Sequence, residues 1–127
     1  MDDYKVTIEY CSKPDLPARE RIKLKDTLNA FKLDDLTRDG SIVIQFEYFA
    51  LMHVVNPMAK DEKEYDRAVI VDSDGKHYTT SSKSFVRALR DIYDEMAEAG
   101  ETQFEIEVFQ KPSKNYQGKN FVTCSLV

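Results

Sequence analysis

The feature that most constrains this chain is the stretch 41–55, where apolar side chains recur at every second position. Ile42, Ile44, Phe46, Tyr48, Ala50, Met52 and Val54 fall on one face. Val43, Gln45, Glu47, Phe49, Leu51 and His53 fall on the other. Period two belongs to a β-strand, whose successive side chains point to opposite faces. The first face is uniformly apolar and the second is mixed. So long a strand is usually bent, serving two parts of a curled sheet. Asn56-Pro57 ends it, because proline cannot donate to a ladder.

The same period recurs in residues 4–10, where Tyr4, Val6, Ile8 and Tyr10 alternate with Lys5, Thr7 and Glu9. Pro14 and Pro17 then interrupt regular structure. Residues 19–36 fit two periods. Ile22 and Leu24 could share the face of a short strand, whereas Leu24, Leu28 and Phe31 could mark a helical turn. The expectation is an extended arm with a short strand, up to the turn at Asp39-Gly40. A charged loop is expected over 56–64, a strand over 65–71, a turn at Asp72-Ser73-Asp74-Gly75 and a return strand over 76–80. Residues 81–100 predict a helix. Phe85, Leu89, Ile92, Tyr93 and Met96 make one apolar stripe, Ser82 or a neighbouring serine suits the N-cap, and Gly100 is the stop. Strands over 102–110 and 120–127 flank a loop at 111–119.

From residue 41 the order is strand, strand, strand, helix, strand, strand. That is the order of an OB-fold, a five-stranded barrel with its helix between strands three and four. The expected class is therefore all-β or α+β: one OB-like domain over 1–127, with a strand and arm over 1–38 and the barrel core over 39–127. The alternative is an open antiparallel sheet with the helix packed on one face. OB-folds bind oligonucleotides between the first-to-second and fourth-to-fifth strand loops, here 56–64 and 111–119.

Composition sets the bounds on function. The formal net charge is −5, from 18 basic and 23 acidic residues, which argues against coating nucleic acid by bulk charge. The acids, however, are segregated: Asp91, Asp94, Glu95 and Glu98 crowd the predicted helix, opposed by Arg87 and Arg90. No apolar run reaches the roughly 20 residues that span a bilayer. Met1-Asp2-Asp3 lacks a signal-peptide pattern, so a cytoplasmic location is expected. Cys11, Cys124, His53 and His77 are scattered, and neither a metal site nor a cofactor is expected. No nucleophile elbow, P-loop or zinc-protease motif appears, so the chain does not read as an enzyme.

The candidate binding residues follow from the loops and strand ends. Lys111, Lys114 and Lys119 surround Tyr116 with no acid among them. Lysine contacts phosphate, and an exposed tyrosine can stack on a base for about 1–3 kcal/mol. Tyr65 and Tyr78 are further stacking candidates, with Phe49 and Phe109 as weaker ones, and Arg67 and Lys83 are phosphate candidates. Arg19, Arg21, Lys23 and Lys25 form a basic run that fits either a phosphate-binding stripe or a solvated edge strand.

The segment from Asp74-Gly75-Lys76-His77-Tyr78 through Thr79-Thr80-Ser81-Ser82-Lys83-Ser84-Phe85, and the ending from Phe104 to Val127, resemble small phage-encoded single-stranded DNA-binding proteins of Gram-positive hosts. The resemblance implies an OB-type fold, single-stranded DNA bound without strong sequence preference, and a role in protecting replication or recombination intermediates. Lys111, Lys114, Tyr116 and Lys119 match that group's loop residues in kind. The long acidic tail through which bacterial counterparts recruit partners is not in this sequence, and recruitment by that route is not expected. A homo-oligomer could form by pairing 4–10 or 120–127 across subunits. The competing expectation is a protein-interaction module, a phage factor binding a host protein through the acidic helix face or a sheet edge.

Overall fold

A computed structural model describes residues 5–26, 30–58, 64–113 and 119–127. They run in the order β1 Lys5–Cys11, α1 Ala18–Lys25, β2 Phe31–Lys32, α2 Leu33–Leu36, β3 Ile42–Val55, β4 Glu64–Asp72, β5 His77–Thr80, α3 Lys83–Glu98, β6 Phe104–Pro112 and β7 Asn120–Leu126. The strands form one sheet with the path β2-β5-β4-β3-β6-β7, and β1 lies beside β3 off that path. β3 is its spine. Residues 42–46 pair with β6, residues 46–55 pair with β4 on the other edge, and β1 takes residues 50–55 on the edge that β6 has left. One bent strand thus serves both parts of a mostly-β curled sheet with few helices, an architecture compatible with an OB-like fold.

The alternation along β3 does not run unbroken, contrary to the sequence reading. Phe46 pairs with Asp72 and Tyr48 with Val71, which leaves Glu47 as the extra residue of a β-bulge. The bulge exchanges the faces. Ile44, Phe46 and then Phe49 enter one core, while Tyr48, Ala50 and Met52 enter a second. β1 does the same. Ile8 pairs with Met52 and Tyr10 with Leu51, so Val6 and Ile8 face the second core while the Tyr10 ring lies 5.5 Å from Phe49. Phe49, expected on the mixed face as a stacking candidate, is fully buried.

The first core joins β3 to Phe85 and Leu89 of α3, Ile106 and Val108 of β6, and Val122 and Cys124 of β7. The second lies on the opposite face of β3 and β4, where α1 covers it. Leu24 sits fully buried there with Tyr48, Met52 and Val69. Burying one leucine contributes about 1.5–3 kcal/mol, which makes it the main anchor of α1. β4 is consequently enclosed on both faces, with Ala68 and Ile70 in the first core and Val69 and Val71 in the second.

The arm departs from expectation. Residues 18–25 are helical rather than extended, and Ile22 is 67% exposed, so the Ile22/Leu24 alternation is not used. Arginine, lysine, glutamate and leucine are all good helix formers, and a single buried leucine suffices to dock a two-turn helix. Beyond α1, the arm fills the space between β5 and the β6–β7 pair. Thr80 Oγ1 donates to Asp34 Oδ1 at 3.0 Å. Gln110 Nε2 donates to the Asp34 carbonyl at 2.9 Å and to Thr37 Oγ1 at 3.1 Å.

Candidate nucleic-acid interface

The β6–β7 hairpin places three side chains on one face. β6 runs through Pro112, so Lys111 stands on a strand and not in the loop expected from Pro112. The ladder continues because Lys111 pairs with Phe121 and Pro112 with Asn120, the last pair before the loop, where proline's missing N–H matters least. Phe109, Lys111 and Phe121 therefore share the face opposite Val108 and Val122, which lie in the core. The Lys111 ammonium lies 5.7 Å from the centroid of the Phe109 ring. Ser113 N–H donates to the Lys119 carbonyl at 2.9 Å across the hairpin end. Lys114 and Tyr116 lie outside the described residues.

Lys83 is brought to the other side of this hairpin through its neighbour. Ser82 caps α3 by accepting from Phe85 N–H at 3.3 Å, and its hydroxyl donates to the Val122 carbonyl of β7 at 2.6 Å. The first residue of α3, Lys83, is thereby held beside the hairpin. Lys83, Lys111 and Lys119 are all exposed. The acids of α3, Asp91, Asp94, Glu95 and Glu98, are exposed farther along the helix.

Three predicted residues lie elsewhere. Tyr65 and Arg67 alternate with Ala68 and Ile70 on β4 and so belong to the face that α1 covers. Tyr65 is half-buried. Arg67 is only 7% exposed; its Nη2 donates to the Lys25 carbonyl at 3.0 Å, and its buried Nε has no partner among the described residues. Held under α1 in this way, the guanidinium is not displayed on the outer surface where a phosphate contact is expected. Tyr78 is half-buried, with its hydroxyl donating to Asp72 Oδ2 at 2.8 Å. Burial first, and that bond second, push the phenol up to about 12.

Sequence reasoning missed Phe31, which is 48% exposed on β2 with its ring 5.8 Å from Tyr78. The available signal was its place beside a basic run. Reading it with Leu24 and Leu28 as one apolar stripe concealed it. Phe121 was missed as well, although its alternation with Val122 was legible.

The far end of β3 has a different character. His53 Nδ1 lies 2.8 Å from Asp66 Oδ1, and Nε2 lies 3.2 Å from Glu64 Oε1. These hydrogen bonds raise the imidazole above its ordinary range. Glu9, His53 and Asp66 also bring one ligand atom each within 4.8 Å of one another, a grouping that spacing along the chain did not reveal. With a carboxylate at each ring nitrogen, the protonated ring is the form that satisfies both. The acids make this end unattractive to phosphate. Cys11 and Cys124 are free thiols, and burial pushes Cys124 up to about 12. No described helix is long and apolar enough to cross a membrane.

A curled, mostly-β sheet that gathers lysines and aromatic rings on one hairpin is built as single-stranded nucleic-acid binders are, with phosphates held by cations and bases by π-faces. The chain belongs to the Phage Single-stranded DNA-binding protein family, whose model matches residues 22–127. That membership makes single-stranded DNA its partner class. No curated protein and no solved structure matches the chain.

Proposed function

We propose that this protein binds single-stranded DNA without strong sequence preference and shields replication or recombination intermediates. In this reading the chain is one OB-like domain over 1–127, with β3 to β7 as the five barrel strands and α3 between the third and fourth. The strand crosses the β6–β7 hairpin. Lys83, Lys111 and Lys119 take phosphates, joined by Lys114, while Phe109, Phe121 and Tyr116 offer rings to bases; Tyr65 and Tyr78 contribute from β4 and β5. Every base has a π-face and every nucleotide a phosphate, so such a surface is tolerant of sequence.

One observation carries the reading: Phe109, Lys111 and Phe121 share one face of the β6–β7 hairpin, with the exposed Lys119 at its loop end. The test is fluorescence anisotropy of a labelled oligo-dT, challenged with unlabelled duplex of equal length. Retention of the single strand in excess duplex is expected, and preference for duplex would refute it. The second reading, a module that docks a host protein, draws on the four exposed acids of α3, none of which makes an ion pair among the described residues. Reversing those charges leaves DNA affinity intact or raises it under the first reading, and abolishes the partner complex under the second.

A further inference from the structure

We propose that the cleft between α1 and the β4–β5 hairpin receives one nucleotide of the bound strand, its base stacked on Phe31. The proposal rests on the single-stranded DNA reading but places a contact outside the β6–β7 hairpin. The cleft has a volume of about 390 Å³, within the range of small-ligand sites. Its walls come from two sides: Lys23 and Asp26 from the end of α1 and the residue after it, and Lys76 and His77 from the hairpin. Phe31 lies among them.

Three features give the cleft a ligand class. First, Phe31 is a large aromatic left 48% exposed on a two-residue edge strand, packed on Tyr78 at 36° with much of its surface open. Exposed aromatic rings of this kind stack on bases. Second, a lysine on each wall supplies positive charge for the phosphates flanking a base. Lys76 makes no ion pair among the described residues, and Lys23 has only a 3.7 Å contact with Glu20 at the surface, which is worth little in water. An apolar ligand would have no use for either cation.

Third, the receiving wall is already ordered. Asp72 Oδ1 accepts from Asp74 N–H and Lys76 N–H, both at 2.9 Å, while Oδ2 accepts from Tyr78. One carboxylate therefore fixes the hairpin and the ring on which Phe31 rests, so little ordering is left to offset on binding. Gly75 at the tip has φ +84, and a Cβ there would meet nothing within 4 Å, so the tip itself does not crowd the cleft. Beyond it, Gly75 and His77 also line a second cavity of about 520 Å³, but Asp15, Glu20, Glu47 and Asp72 make that one acidic, so the phosphate-binding path ends at the first cleft.

The chain contains no tryptophan, so Phe31→Trp creates a single reporter in the cleft. Saturating oligo-dT should quench its emission. Phe31→Ala, and Phe31→Leu as a variant that keeps apolar contact with Tyr78, should weaken binding about 5- to 100-fold. Lys23→Ala and Lys76→Ala should each reduce the slope of log affinity against log salt by about 0.7. Unmoved tryptophan emission, with wild-type affinity in Phe31→Leu, overturns the cleft as a site while leaving single-strand binding in place. Failure of the wild type to bind oligo-dT overturns the DNA reading, and the cleft with it.

Discussion

The hydroxyl of Ser82 donates to the Val122 carbonyl at 2.6 Å while accepting from Phe85 N–H, so one side chain both starts α3 and ties it to β7. Ser82→Ala removes a cap and leaves a strand carbonyl without this donor. The expected loss is about 1–2 kcal/mol, read as a lower denaturation midpoint with an unchanged slope.

Arg67 is buried under α1 and donates to the Lys25 carbonyl. Methionine would keep the length of the stem and remove a buried charge with an unpartnered Nε. Arg67→Met should cost no more than about 1 kcal/mol, or stabilise. It should also leave the salt dependence of DNA binding unchanged, because the guanidinium does not reach phosphate. A shallower salt slope in this variant would show that α1 lifts away when DNA binds.

His53 stands between Asp66 and Glu64, and these partners raise its pKa above the ordinary 6.5. A raised folded value means that protonation favours the fold. The contribution is complete below about pH 6.5 and is lost as pH rises through the higher folded value. Wild type should lose stability over that window, and His53→Gln should not. Titration of the imidazole by NMR gives the same sign directly, with a midpoint above the free value.

Tyr78 is held neutral up to about 12 by burial and by its bond to Asp72. Because the unfolded phenol ionises near 10, the contribution of Tyr78 is present below that pH and lost between 10 and about 12. Tyr48, also pushed up to about 12 by burial, acts in the same window. Tyr78→Phe should therefore flatten the alkaline loss only in part, and lower stability at neutral pH by about 1 kcal/mol through the missing hydrogen bond.

The long strand, the helix with its serine cap and the lysine-rich hairpin were all legible, because each is written in local periodicity or in turn chemistry. The two bulges were not. Glu47 and Glu9 look like ordinary outward residues, and only pairing with β4 and β3 reveals that each is an insertion reversing all that follows. That single parity error sent Phe49 to the surface on paper and to the core in the fold. The arm was illegible for another reason. Leu24 alone anchors α1, and one apolar residue carries no period. The helix that covers Arg67 is not written in any local period, and Phe31 is hidden by its spacing from Leu24 and Leu28, which suggests one apolar stripe.

If lysines of the β6–β7 hairpin and the start of α3 hold phosphates, the salt dependence of oligo-dT affinity shows it most directly. For wild type, log affinity should fall linearly with log salt as counterions are released, and the triple variant Lys83→Ala, Lys111→Ala, Lys119→Ala should show a slope smaller by about 2. An unchanged slope in the triple variant, or wild-type binding indifferent to salt, would contradict the account.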